Sequence, residues 1–314
     1  MVFDGFTFFN EIELLELRLQ TMDKFVDRFI IVESKKTFTN NDKPLYYEEN
    51  REKFKQYWKK IKYIVIDEFP KECKTAWERE YYQRNAIYNG IEGAKDSDIL
   101  IVSDLDEIIS PYGVKRIKHI LKKSPEKILK LELLNSWYFL NYVDQKNFFL
   151  AAPVAYTIGE AEKFHKECQG TYQLSTEGKI MPQTARAWCN IELVQCAGWH
   201  FSYIGGIERI RKKIMAFSHQ EYNTEKFLED NKVQEMIENG EDLFGREIAD
   251  FVSVPVNYLM PEPVRKSQEK YRSWLCDYRP ISKKNRIRLK IKYLVETTIL
   301  RSAFHKIKGL KSHK

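Results

Sequence analysis

Asp98-Ile99-Leu100-Ile101-Val102-Ser103-Asp104-Leu105-Asp106-Glu107 is the stretch from which the rest of the chain is read. An acid is followed by four apolar, largely β-branched residues, the pattern of a strand buried on both faces. The strand then delivers Asp104, Asp106 and Glu107 almost at once. In an open α/β sheet ligands bind at the carboxyl ends of the strands, so these acids stand where chemistry is done. Residues two apart in an extended segment point the same way, which predicts that Asp104 and Asp106 converge while Leu105 turns inward. Two carboxylates with open coordination positions suit Mg²⁺ or Mn²⁺ on a substrate diphosphate. The competing readings are an acidic turn without function and an aspartyl-nucleophile phosphatase. The phosphatase pattern places its acids on the first strand, with Thr or Val two residues after the second Asp. Here Ile108 holds that position, and at least two strands come earlier.

Working outward, Phe29-Ile30-Ile31-Val32-Glu33-Ser34 and Tyr63-Ile64-Val65-Ile66-Asp67 repeat the pattern of an apolar run ending in polar residues. Asn10 is placed to cap a helix carrying Ile12, Leu15, Leu19 and Met22. A helix is expected over 75–91, stopped by the Gly90 and Gly93 region, and another over 112–123, opened by Ser110-Pro111. Strands alternating with helices give β-α-β units and a parallel sheet. This is a Rossmann-like nucleotide-binding half with the acids at the end of its third or fourth strand. Beyond it, 128–140 alternates as a strand of a more mixed sheet, and 151–190 reads as loops and short strands. Ile191 to Tyr203 reads as a strand containing Gly198-Trp199-His200-Phe201-Ser202-Tyr203, followed by helices at 207–219 and 224–239.

The 314 residues suffice for a full core, and the 14% aromatic content argues against disorder. The five cysteines, Cys73, Cys168, Cys189, Cys196 and Cys276, form no C-x-x-C pair and read as reduced thiols. The N-terminus lacks a basic, apolar leader, and no run of about 18 apolar residues exists. A cytoplasmic protein is expected. The net charge of +7 is unevenly spread. Residues 261–314 hold 16 Lys and Arg against 4 Asp and Glu, a balance of +12, whereas residues 1–260 hold 36 against 41, a balance of −5. Within that basic end, residues 283–308 interleave Ile287, Leu289, Ile291, Leu294, Val295, Ile299, Leu300 and Phe304 with Arg and Lys. The expectation is a helix resting on an anionic membrane surface, peripheral on the inner face. Nucleic-acid binding ranks last, because no recognisable module for it is present.

Several runs together resemble glycosyltransferase family 17, which includes the enzyme that adds the bisecting N-acetylglucosamine to N-glycans. They are Asp4-Gly5-Phe6-Thr7-Phe8-Phe9-Asn10-Glu11, Phe29 to Ser34, Thr37-Phe38-Thr39 and Lys43-Pro44-Leu45. Then come Trp77, Glu80, Gln83-Arg84-Asn85, Ser103 to Ile108, and Gly198 to Ser202, in the family's order across about residues 3 to 245. The resemblance implies a GT-A type α/β fold with a mixed, mainly parallel central sheet. It also implies inverting transfer of a sugar, expected to be N-acetylglucosamine, from a UDP donor. A glycosyltransferase domain is thus expected over 1–260, with a basic, helical C-terminal extension over 261–314. The expected acceptor is a glycan or lipid-linked glycan. A catalytically silent sugar-nucleotide-binding or membrane-associated scaffold is the alternative.

Site residues follow. Asp104 and Asp106 are expected at a Mn²⁺ or Mg²⁺ ion, and the resemblance places His200 with them at the metal or the diphosphate. Its bland reading is a strand-end histidine satisfied by a carbonyl. Glu33 is a candidate for uridine or ribose, against a plain surface carboxylate. Arg84 is expected to reach the diphosphate or to lock the acids by an ion pair. Lys213 is a phosphate candidate on a helix otherwise rich in solvated bases. Inversion needs a base for the acceptor hydroxyl, and Glu221, Asp242 and Glu192 are the candidates. Trp137, Tyr138, Trp188 and Trp199 are candidates for stacking on sugar faces, against the commoner role of aromatic core.

Overall fold

The computed structural model describes residues 1–149, 153–161, 191–220, 230–239 and 251–277, with positions 163, 223, 224 and 243 besides. Glu221, Asp242, Trp188, most of 151–190 and the basic run 283–308 lie outside the described residues.

The chain opens with strand β1 (Val2–Phe8), helix α1 (Ile12–Met22), β2 (Arg28–Ser34), the single-turn α2 (Tyr46–Glu49) and β3 (Ile61–Ile66). Helix α3 (Ala76–Asn85) and β4 (Ile99–Val102) complete the first half. The second half holds β5 (Glu107–Ile109), α4 (Pro111–Lys123), β6 (Ile128–Trp137), β7 (Tyr142–Phe149), β8 (Val154–Thr157) and β9 (Ile191–Ser202). Helices α5 (Ile207–Ala216) and α6 (Asp230–Asn239), β10 (Phe251–Ser253) and α7 (Glu262–Lys266) follow.

One sheet runs in the order β10-β7-β6-β8-β4-β1-β2-β3, with β9 pairing β5 and β6 off this path. The pairings β2–β3, β1–β2 and β1–β4 are parallel. On the far side of β4 most pairings are antiparallel, and β6 with β9 is parallel. The protein is thus α/β with a mixed sheet, parallel where β4 delivers the acids. Alternation along buried strands feeds two cores. Phe29 and Ile31 of β2 and Ile99 and Ile101 of β4 face the α1 and α4 side, while Ile30, Val32, Leu100 and Val102 face the opposite one.

Strand β1 is missing from the sequence reading, although it lies between β2 and β4 at the centre of the parallel half. Asp4 and Gly5 in its middle are poor strand formers, and an aspartate in a buried strand needs a partner. The partner is Arg18 of α1, whose side chain, like that of Asp4, is completely buried. Gly5 is required by Ile87, because a Cβ at position 5 would come within 2.3 Å of Ile87 Cγ2.

Other expectations shift locally. Helix α1 has Glu11 rather than Asn10 at its cap position, with no side-chain capping bond. The helix expected over 75–91 starts at the Thr75–Glu78 capping box and ends at Asn85, and a 3₁₀ segment runs Ala86–Gly90. Ser110 caps α4 by accepting the Gly113 N–H, with Pro111 in the first turn as expected. The domain boundary expected at 260 falls inside the packed body. Val264, Tyr271, Trp274 and Leu275 belong to the main core, and Cys276 N–H donates to Asn141 Oδ1 at 2.9 Å. No helix among the described residues is long and apolar enough to cross a membrane.

Candidate active site

Beyond β4 the chain does not stay extended. Leu105 and Asp106 form a turn before β5 begins at Glu107. Alternation therefore does not govern the two aspartates, and the structure gives them different cationic partners. Asp104 Oδ1 lies 2.6 Å from Arg84 Nη2, whose guanidinium also pairs with Glu80 Oε1 at 2.5 Å. Asp106 Oδ2 lies 2.7 Å from Lys213 Nζ and 4.0 Å from His200 Nε2. Leu105 is buried, as expected.

Arg18 shapes this turn, and the sequence reading missed it. Its Nε and Nη2 donate to the two carboxylate oxygens of Asp4 at 2.8 and 2.6 Å, and Nη2 also donates to Ser103 Oγ at 2.6 Å. Its Nη1 donates to the carbonyls of Asp104, Leu105 and Glu107 at 2.7, 3.2 and 3.0 Å. Three carbonyls drawn to one buried guanidinium fix the turn's backbone. Glu107 adds a clamp, its Oε2 accepting the Asp104 N–H at 2.7 Å. The available signal was a charge flanked by Leu17 and Leu19 in an apolar helix, together with an acid inside an apolar strand.

The β5–β9 ladder joins His200 to the turn. Glu107 pairs with His200 in register, and the Phe201 N–H donates to the Asp106 carbonyl at 2.8 Å. The glycine at 198 permits this approach, since a Cβ there would meet the Ile108 carbonyl oxygen at 2.1 Å. The protonation of His200 follows from its neighbours. Trp137 Nε1, which can only donate, lies 3.1 Å from Asn135 Oδ1, so that atom is the accepting oxygen. His200 Nδ1 lies 3.1 Å from the same oxygen and must be the donor. That leaves Nε2 as the ring nitrogen on the Asp106 side.

Lys213 projects from α5, which packs Ile210 and Ile214 into an aromatic cluster with Trp137, Tyr138, Tyr203 and Phe251. Burial pulls the Lys213 pKa down, but Asp106 and then Glu11 pull it up by more, and it stands above the usual lysine value. Arg84 behaves alike, with burial opposed and outweighed by Asp104 and Glu80.

The remaining candidates fall elsewhere. Glu33 is fully buried at the end of β2. Its oxygens accept from the Tyr46 and Tyr47 N–H groups, the Tyr63 hydroxyl and Lys43 Nζ, at 2.7, 3.1, 2.9 and 3.0 Å. Burial raises its pKa, and the carboxylate anchors the segment after β2 rather than facing a ribose. Glu192 pairs with Lys127 at 2.5 Å near the start of β9. It stands at the opposite end of β9 from His200. Trp137, Tyr138 and Trp199 are core residues, and Trp199 Nε1 donates to the Leu259 carbonyl at 2.7 Å. Trp77, half-buried and two turns before Arg84 on α3, packs its ring 4.5 Å from that of His219.

Among the described residues, no three His, Cys, Asp or Glu side chains form a group able to hold a metal ion by themselves. A carboxylate in the turn and an imidazole on β9 are still donor types that suit Mg²⁺ or Mn²⁺, with a diphosphate able to supply the rest.

Fold and site together define an α/β protein with a polar cluster at the carboxyl end of β4. Residues 1–260 match the model of glycosyltransferase family 17, and the chain belongs to that family. Similar curated proteins are the beta-1,4-mannosyl-glycoprotein 4-beta-N-acetylglucosaminyltransferases of Homo sapiens and Rattus norvegicus. Each is 27% identical over 116 residues, which cover 35% of this chain and 22% of the relative. The match thus spans about a fifth of the length of those relatives. Similar solved structures include TarS residues 1–349 of S. aureus, with a TM-score of 0.40, 11% identity, and coverage of 76% of this chain and 72% of that one. Another is 4-diphosphocytidyl-2C-methyl-D-erythritol synthase of Anaerococcus prevotii, with a TM-score of 0.41, 12% identity, and coverage of 62% and 89%.

Proposed function

We propose that this chain is an inverting glycosyltransferase assisted by Mn²⁺ or Mg²⁺. It moves a sugar, N-acetylglucosamine by the names of its relatives, from a UDP donor to a hydroxyl of a glycan or lipid-linked glycan. The observation that carries this reading is the meeting of Asp106, His200 and Lys213 where β4 ends, in a family 17 chain. When bound, the cation neutralises charge on the departing diphosphate. Asp106 and His200 hold it, and Asn135 orients the imidazole. Lys213 lies within reach of a phosphate. Arg84 holds Asp104 beside the turn, one step from the diphosphate. Glu221 and Asp242 are the proposed proton acceptors; Glu221 stands two residues from His219, which packs on Trp77.

A panel of UDP-sugars assayed for UDP release with Mn²⁺, with Mg²⁺ and with EDTA tests the reading. Release with one donor, dependent on the metal, is expected. Equal release in EDTA removes the cation from the scheme, and silence with every donor and acceptor offered removes the transferase.

The basic, apolar run 283–308 is proposed to seat the enzyme on an anionic membrane surface, on its charge pattern alone. Sedimentation with phosphatidylserine vesicles at low salt should retain the full chain, and a chain ending at 277 should stay in the supernatant. Equal retention of both rules the seat out.

A further inference from the structure

We propose that Lys213 is an internal counter-ion that yields Asp106 to the divalent cation by shifting onto Glu11, so that an ammonium moving between two carboxylates gates the cation. This role presupposes that Asp106 is a cation ligand, as in the function proposed above.

Lys213 Nζ lies 2.7 Å from Asp106 Oδ2 and 3.9 Å from Glu11 Oε1. The two carboxylates are 8% and 16% exposed, so neither is comfortably solvated without a positive partner. A divalent ion on Asp106 competes with the ammonium for the same carboxylate charge. A hard cation takes a carboxylate oxygen at about 2.1 Å, and Nζ in its present place would then face a like charge at contact range. Repulsion from the arriving ion drives Lys213 toward Glu11, and the position to which it moves is already built. Glu11 Oε2 accepts the Asn10 N–H at 3.1 Å, which fixes the carboxylate while Oε1 faces Lys213.

Only a side chain has to move. Helix α5 is held by the buried Ile210 and Ile214 and by Arg209, which pairs with Glu13 at 2.7 Å one turn before Lys213. Glu11 and Glu13 thus receive Lys213 and Arg209 in parallel, and α1 and α5 stay docked while Nζ travels between two oxygens. The Tyr203 ring, 5.5 Å from Nζ, offers its π-face along the way. In the resting protein the ammonium keeps Asp106 neutralised, and cation binding is weakened by the work of displacing it.

The exchange makes opposite predictions for two substitutions, read as Mn²⁺ affinity of the full chain without nucleotide, by the electron paramagnetic resonance signal of free Mn²⁺. Lys213→Met removes the competitor and should tighten Mn²⁺ binding about tenfold. Glu11→Gln removes the receiving carboxylate and should weaken it about threefold. In the Lys213→Met background Glu11→Gln should change little, because Glu11 acts through the ammonium. A simple loss of negative charge near the ion would instead persist in full in that background, and that result overturns the exchange. So does equal Mn²⁺ binding, or none, in wild type and Lys213→Met. Lys213→Gln serves if the Met variant fails to fold. Asp106→Asn separates the two levels. Undiminished Mn²⁺ binding there removes the cation site itself, whereas its loss, with Lys213→Met unchanged from wild type, removes only the exchange.

Discussion

Asp106→Asn lowers kcat/KM for the UDP-sugar by about 10³-fold, roughly 4 kcal/mol of transition-state stabilisation, in a protein that still folds. The substitution conserves volume, and the Phe201 N–H still has the backbone carbonyl of residue 106 as its acceptor, so the turn persists. What disappears is a negative charge that faces both His200 and Lys213. The amide binds a hard cation far more weakly, and the departing diphosphate then meets less positive charge. Added Mn²⁺ should restore little of the rate. Steady-state UDP release across a Mn²⁺ series, with calorimetry to confirm folding, measures both quantities. Turnover within a few-fold of wild type would mean that the leaving group is stabilised elsewhere, and the assignment of the site would fall.

The second large effect concerns a residue that touches no substrate. Arg18→Met leaves the Asp4 carboxylate buried and unpaired and strips the turn at 104–107 of its donors. Loss of one partner of a buried ion pair costs about 3–5 kcal/mol, which in a chain of this size lowers Tm by roughly 6 °C. The Asp4→Leu/Arg18→Met double variant distinguishes packing from positioning. Replacing a whole buried pair by apolar residues of similar volume is often neutral or stabilising, so Tm should recover most of the loss. Activity should stay about a hundredfold down, because the guanidinium that gathers the carbonyls of Asp104, Leu105 and Glu107 onto one group is gone. A double variant that regains both Tm and kcat would show that Arg18 serves stability alone.

The two aspartates show how far sequence reasoning reaches. Their place at the end of a doubly buried strand was legible, because four apolar residues before a run of acids can fold in few other ways. Their different cationic partners were not. Alternation holds only while the backbone stays extended, and Arg18, 86 residues from Asp104 along the chain, bends it there. Glu33 failed for a related reason: a carboxylate at a strand end reads as a ligand until four donors from residues 43 to 63 close on it. The aromatic candidates illustrate the same limit, since composition counts rings without saying which ones the core absorbs.

Local pattern alone determined the alternating strands and helices of the first half, the capped helix after Ser110, the long strand bearing His200, and the ordered runs that belong to family 17. The elements are settled by side-chain periodicity and capping over a few residues, and the family by the order of its runs. Tertiary structure decided that Val2–Phe8 occupies the centre of the sheet, that residues 261–277 complete the core, and which cation faces which acid. Those outcomes depend on buried charges finding partners. The partners come from distant parts of the chain, where no local pattern announces them.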